Sequence, residues 1–219
     1  MKIYFIPGLG FDDRIYRNIN IENHEVNYIN WIDSFKNESI QSYAERLSES
    51  IENDGSELIL IGHSFGGILC QEIATIKPVQ KIILISSIKH QEENPLQFRI
   101  MKPTRLYKLF TKELTVKSIK YWGTTHDYET EEEKELVKSM VSKHSNNHLQ
   151  WALMQLAIWK KPSQLSIDNI IQIHGELDKT FPIKLIKTPT YKIKNSGHFM
   201  VYKNAEIEEI LNNEINLMA

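Results

Sequence analysis

The sequence predicts an α/β protein: a doubly wound, mainly parallel sheet of six strands, with a block of helices inserted late in the chain. Three observations lead there. Six short β-branched runs, each closed by glycine, proline or polar residues, are spaced through the 219 residues. Helical periodicities fill the gaps between them, the alternation expected of strand–helix–strand units. One gap, after the fourth run, is far longer than a crossover needs.

The strands are expected at 2–6, 25–29, 58–61, 81–85, 170–173 and 191–193. Leu58-Ile59-Leu60-Ile61 and Ile82-Ile83-Leu84-Ile85 are apolar at every position. Such strands belong in the middle of a parallel sheet covered on both faces. Ile40, Tyr43, Ala44, Leu47 and Ile51 recur at helical steps behind Asn37, which is expected to cap that helix. A second helix should start just after Ser64 and end near Pro78, which cannot continue it. A last one carries Ile207, Ile210 and Leu211 on one side.

The long gap holds about eighty residues between Ser86 and Ile170 and reads as helical throughout. Thr130 and Glu133 form a capping box ahead of a stripe made by Leu136, Val137, Met140, Val141 and His144. The run Trp151 to Trp159 is apolar nearly all round, so its helix should be buried on most sides. We read residues 1–219 as one domain with a helical cap inserted at 89–168.

Composition narrows the function classes. The chain is 41% hydrophobic and 25% charged, with a net charge of −2, ordinary values for a globular protein. That charge gives no reason to expect nucleic acid as a partner, and the basic residues read as scattered rather than gathered into a stripe. Cys70 is the single cysteine, which excludes an intramolecular disulfide and suits a reducing compartment. The apolar start, Met1 to Ile6, is cut short by Pro7-Gly8, and no run approaches the roughly 18 apolar residues of a membrane span. A cytoplasmic protein without a membrane partner is therefore expected. The sequon Asn37-Glu38-Ser39 is read as chance in that setting.

Gly62-His63-Ser64-Phe65-Gly66-Gly67 follows an apolar strand and leads into a helix. This is the context a nucleophilic serine needs, a sharp strand-to-helix turn that exposes its hydroxyl. Such a hydroxyl attacks only when a base takes its proton and an acid orients that base. His198, in Asn195-Ser196-Gly197-His198-Phe199, follows the last strand and is the candidate base. The loop after the fifth strand offers two candidate acids, Glu176 and Asp178. An oxyanion also needs fixed N–H donors. These should be the amides of Phe65, just after the nucleophile, and Leu9, in the loop Pro7-Gly8-Leu9-Gly10. Seven of the nine glycines lie in these four loops, where backbone must turn or approach closely.

Other residues have plainer readings. His63 is expected to pack or hydrogen-bond rather than serve as a second base. His144 and His148 are spaced for one helix face, but without a third ligand they give no metal site. Trp151 and Trp159 read as cap core, Cys70 as buried and inert, and Glu129 to Glu133 as a solvated helix start.

On these residues the chain resembles the α/β-hydrolase superfamily, and within it small bacterial single-domain esterase-like members with a helical cap. Gly175-x-x-Asp178-x-x-x-Pro182 matches the family's acid loop, so the resemblance implies Asp178 rather than Glu176 as the acid. Two features depart from the pattern. Pro7-Gly8 stands where the family often has His-Gly, and the chain opens on what would be the family's third strand, without the first two. The resemblance implies hydrolysis of a small carboxylic ester or thioester through an acyl-enzyme, with Ser64, His198 and Asp178 as triad and no metal or organic cofactor. The substrate is expected to be a small apolar molecule, walled by cap aromatics including Phe98, Tyr107, Phe110, Tyr121, Trp122, Trp151 and Trp159. The same family holds lyases and carbon–carbon bond hydrolases that use this triad. A ligand-binding protein that hardly turns over is the alternative outside enzymes.

Overall fold

A computed structural model describes residues 1–217, apart from the side chains of residues 122–126. Six strands form one sheet: β1 (Lys2–Ile6), β2 (Glu25–Tyr28), β3 (Leu58–His63), β4 (Lys81–Ile85), β5 (Ile170–Gly175) and β6 (Tyr191–Ile193). They pair in the order β2-β1-β3-β4-β5-β6, and every pairing is parallel. β3 and β5 run two residues past their expected ends. Gly62 and His63 still pair with Leu84 and Ile85, and Gly175 pairs with Ile193. β2 stops at Tyr28, one residue early.

Alternation along each strand divides the interior in two. Ile3, Phe5, Ile59, Ile61, Ile83, Ile85 and Ile173 pack with the C-terminal helix α9 (Glu206–Asn216) on one face. Tyr4, Ile6, Leu58, Leu60, Ile82 and Leu84 pack on the other with α1 (Ile40–Ser48) and α2 (Phe65–Ile73). This is why the central strands carry no polar alternation.

Two helix boundaries differ from expectation. Ser39, not Asn37, caps α1: its hydroxyl accepts from Ser42 N at 3.1 Å, while Asn37 sits two residues earlier at φ 61. A cap must stand directly before the first helical residue, and Asn37 serves the preceding turn, where asparagine tolerates a left-handed backbone. α2 ends at Ile73 and closes through a turn in which Ile76 N donates to Ile73 O, several residues before Pro78.

Between β4 and β5 lie α3 (Leu96–Arg99), α4 (Met101–Thr104), α5 (Lys112–His126), α6 (Glu131–Val141) and α7 (Asn146–Ile158), with short 3₁₀ turns at Gln91–Glu93 and Leu106–Leu109. α3, α4 and the second turn pack on α7, and α5 packs on α6. The capping box of α6 is present, Thr130 Oγ1 accepting from Glu133 N and Glu133 Oε2 from Thr130 N. Two indoles tie α7 and its end to the sheet's flank: Trp151 Nε1 donates to Glu38 O, just before α1, and Trp159 Nε1 to the Glu72 carboxylate on α2. Buried Glu93 accepts from Lys89 N and Lys187 N, pinning the start of the insertion to the β5–β6 connection. α8 (Met200–Lys203) follows β6. Among the described residues, no helix is long and apolar enough to cross a membrane.

Candidate active site

Ser64 stands between β3 and α2 at φ 52, ψ −123, a backbone conformation that costs a non-glycine residue roughly 1–3 kcal/mol. Hydrogen bonds on both sides hold it. Ser64 N donates to Ile85 O at 2.9 Å, and Ser64 O accepts from Gly67 N at 3.0 Å and from Ser87 Oγ at 2.6 Å. Close packing fixes the turn as well: a Cβ on Gly66 would come within 2.2 Å of Ile6 O, so only glycine lets α2 start against β1.

The loops after β5 and β6 meet beside this turn. A Cβ on Gly175 would lie 2.3 Å from Ser196 O, so the acid loop and the histidine loop touch backbone to backbone. His198 Nε2 lies 3.0 Å from Ser64 Oγ, and His198 Nδ1 lies 2.9 Å from Asp178 Oδ2. The other Asp178 oxygen accepts from Thr180 N at 2.8 Å and Phe181 N at 2.9 Å. Asp178 is only 3% exposed. Burial pushes its carboxyl up, but the His198 charge and hydrogen bond, His174 and the Phe181 amide together hold it below the usual carboxylate range. Glu176, the other candidate acid, is exposed to solvent.

His63 Nε2 lies 2.9 Å from His198 O and its ring packs against His198 and Phe11, a role in seating the histidine loop. Leu9 and Phe65 border the same cavity as Ser64 and His198. Phe65 is the first residue of α2, so its N–H is one of those a helix leaves without an internal partner. The cavity measures about 310 Å³, and among the described residues no Lys, Arg, Asp or Glu lines it. Its walls are mostly insertion residues, among them Phe98, Met101, Phe110, Val137, Val141, Leu149 and Leu153.

Of the aromatics expected there, Phe98 and Phe110 line the cavity. Trp151 and Trp159 are buried in the core beside α1 and α2, Tyr107 is half-buried outside the cavity lining, and Tyr121 faces solvent. The side chain of Trp122 lies outside the described residues. His144 and His148 stack with centroids 5.6 Å apart against Trp31, and burial lowers His148 to about 4. Among the described residues, no group of three or more His, Cys, Asp or Glu is placed to hold a metal ion. Cys70 is buried, which pushes its thiol up.

No protein-family model matches the chain, and no curated protein sequence does. Solved structures do. MenH from S. aureus superposes with a TM-score of 0.76 at 18% identity, over 99% of this chain and 93% of that one. A hydrolase from Oleispira antarctica gives 0.72 at 13% identity, over 98% and 90%. A carboxylesterase structure from the thaumarchaeon Nitrososphaera gargenis gives 0.68 at 18% identity, over 99% and 90%. The chain has the α/β-hydrolase fold.

Within this α/β-hydrolase fold, four residues near the site escaped the sequence reading. Trp31 Nε1 donates to Gly8 O at 3.2 Å and Phe11 O at 3.0 Å, fixing the loop that carries Leu9. Tyr16 Oη donates to Ile6 O and accepts from His63 N, joining the ends of β1 and β3. Ser87 holds the Ser64 carbonyl. His174 is fully buried on β5, its Nε2 2.7 Å from Phe181 O and 3.5 Å from Asp178 Oδ2. None belongs to a motif; each acts through a neighbour that does.

Proposed function

We propose that the chain is a serine hydrolase that cleaves a small carboxylic ester or thioester through an acyl-enzyme. The observation that carries this is the unbroken hydrogen-bonded line Ser64–His198–Asp178 at the edge of an apolar cavity. Ser64 Oγ attacks the substrate carbonyl while His198 Nε2 takes its proton, and Asp178 holds the ring in the tautomer that leaves Nε2 free to accept. The amides of Leu9 and Phe65 receive the charge that develops on the carbonyl oxygen. His198 returns the proton to the leaving group, and water then repeats the sequence to release the acid.

The uncharged cavity walls select a neutral, apolar acyl or alcohol portion. We assign the enzyme to the cytoplasm, where a buried free thiol such as Cys70 stays reduced. Steady-state turnover of nitrophenyl esters, lost in Ser64→Ala, is the expected result. Absence of turnover on every ester and thioester tried would exclude this chemistry and favour carbon–carbon bond cleavage by the same residues. A burst without a steady state would favour a binding role.

A further inference from the structure

The net charge of −2 conceals an uneven distribution. Between Leu96 and Tyr121 stand seven Lys and Arg residues, from Arg99 to Lys120, against a single acid, Glu113. The basic residues are therefore not scattered, as their overall spacing suggested, and the rest of the chain is acidic. Six of the seven are exposed and Lys112 is half-buried, and none of the seven enters an ion pair among the described residues.

The same stretch carries large apolar side chains turned to water. Leu96, Ile100, Leu106, Leu109, Leu114 and Tyr121 are exposed, with Leu96, Leu109 and Tyr121 at 69%, 60% and 72%. They lie on α3, α4, α5 and the turns joining them, which pack inward on α7 and α6. The inward residues of the segment include Phe98, Met101 and Phe110, which wall the cavity above Ser64. On α3, α4 and the second turn, which pack on α7, Phe98 and Met101 thus face the substrate cavity, while Leu96, Leu106 and Leu109 are turned to water among cations without ion pairs.

Against the expectation of no membrane partner, we infer that this outer side is a docking surface for an anionic lipid bilayer, on which the protein lies peripherally with its cavity beside the acyl phase. Exposed Leu side chains interspersed with Lys and Arg combine the apolar burial and the attraction to anionic lipid that hold a peripheral surface in a headgroup layer. Exposed lysines without carboxylate partners complement the negative cytoplasmic leaflet. Protein–protein interfaces, by contrast, deplete Lys, and their strongest contacts under-use Leu. Such docking does not depend on the catalytic assignment, because it is read by binding alone.

The test is sedimentation with vesicles of phosphatidylcholine, with and without about 30 mol% phosphatidylglycerol. The protein should bind the anionic vesicles at least about tenfold more tightly than the neutral ones, and the preference should fade as salt is raised. Arg99→Glu/Lys102→Glu/Lys108→Glu should remove that preference, and Leu106→Ser/Leu109→Ser should weaken binding to both vesicle types. None of these residues lines the cavity, so kcat/KM on a water-soluble nitrophenyl acetate should stay unchanged in both variants. Equal partition to neutral and anionic vesicles, no binding at low salt, or binding untouched by the substitutions would overturn the inference. Polyglutamate displacing the protein from phosphatidylglycerol vesicles far better than salt of equal ionic strength would overturn it too, by assigning the surface to an acidic protein.

Discussion

The indole of Trp31 stacks on the ring of Phe65, centroids 5.8 Å apart and planes 17° from parallel. Trp31 therefore touches both halves of the proposed oxyanion site: Phe65 through its face, and the Leu9 loop through hydrogen bonds to Gly8 O and Phe11 O. A site that stabilises developing charge depends on donors already fixed in place. Trp31→Phe keeps the stacking partner and removes the N–H. Turnover should fall about tenfold with KM little changed, short of the roughly 10²–10³-fold cost of losing a donor outright. Steady-state kinetics on a nitrophenyl ester measure it, and an unchanged kcat would show that the loop holds its shape without the indole.

Asp178→Asn should lower kcat by about 10⁴-fold, because the carboxamide no longer fixes the His198 tautomer. Glu176→Gln, on the exposed neighbour, should change kcat less than about twofold. The pair of variants separates the two acids that the loop sequence alone leaves equal. Reversed effects would make Glu176 the acid.

The strands, and the three residues that meet in the hydrogen-bonded line Ser64–His198–Asp178, were legible because each obeys a local rule. Leu58 to Ile61 and Ile82 to Ile85 are apolar at every position because both faces of the sheet are covered. Ser64 is announced by its glycines because the turn it occupies brings backbone against backbone. Trp31, Ser87 and His174 follow no such rule. Their roles come from which loops the fold brings together, Trp31 with Gly8 and His174 with Phe181, and a one-dimensional pattern does not encode that meeting. The cap boundary to solvent was also hidden. Leu109 and Leu153 look alike in sequence, yet one faces water and the other the cavity.

Acid stability should report on His148. Burial lowers its folded value to about 4, against about 6.5 in an unfolded chain. The unfolded state then binds more protons between those limits, so stability is complete above about pH 6.5 and is lost as pH falls toward 4. The loss from this one ring is about 3 kcal/mol. His148→Phe keeps an aromatic ring against Trp31 and Trp151 and cannot be protonated. Urea unfolding near pH 7 and near pH 4.5 should show a shallower acid loss in the variant. Parallel losses in the two proteins would place the acid sensitivity elsewhere.

The apolar cavity should impose a length preference. Each acyl methylene buried against Phe110, Leu149 or Leu153 is worth about 0.8 kcal/mol, so kcat/KM should rise three- to fourfold per carbon. Once the roughly 310 Å³ is filled, it should drop sharply. An acyl series of nitrophenyl esters reads this directly. A flat profile, or a preference for charged acyl groups, would mean that other residues select the substrate.

The central claim is that Ser64 is an activated nucleophile, and labelling with a fluorophosphonate tests it most directly. The native protein should take one label, mapped by peptide mass spectrometry to Ser64. Ser64→Ala should take none, with its circular dichroism spectrum unchanged. A native protein that resists the probe, or a label that persists in Ser64→Ala, would contradict the account.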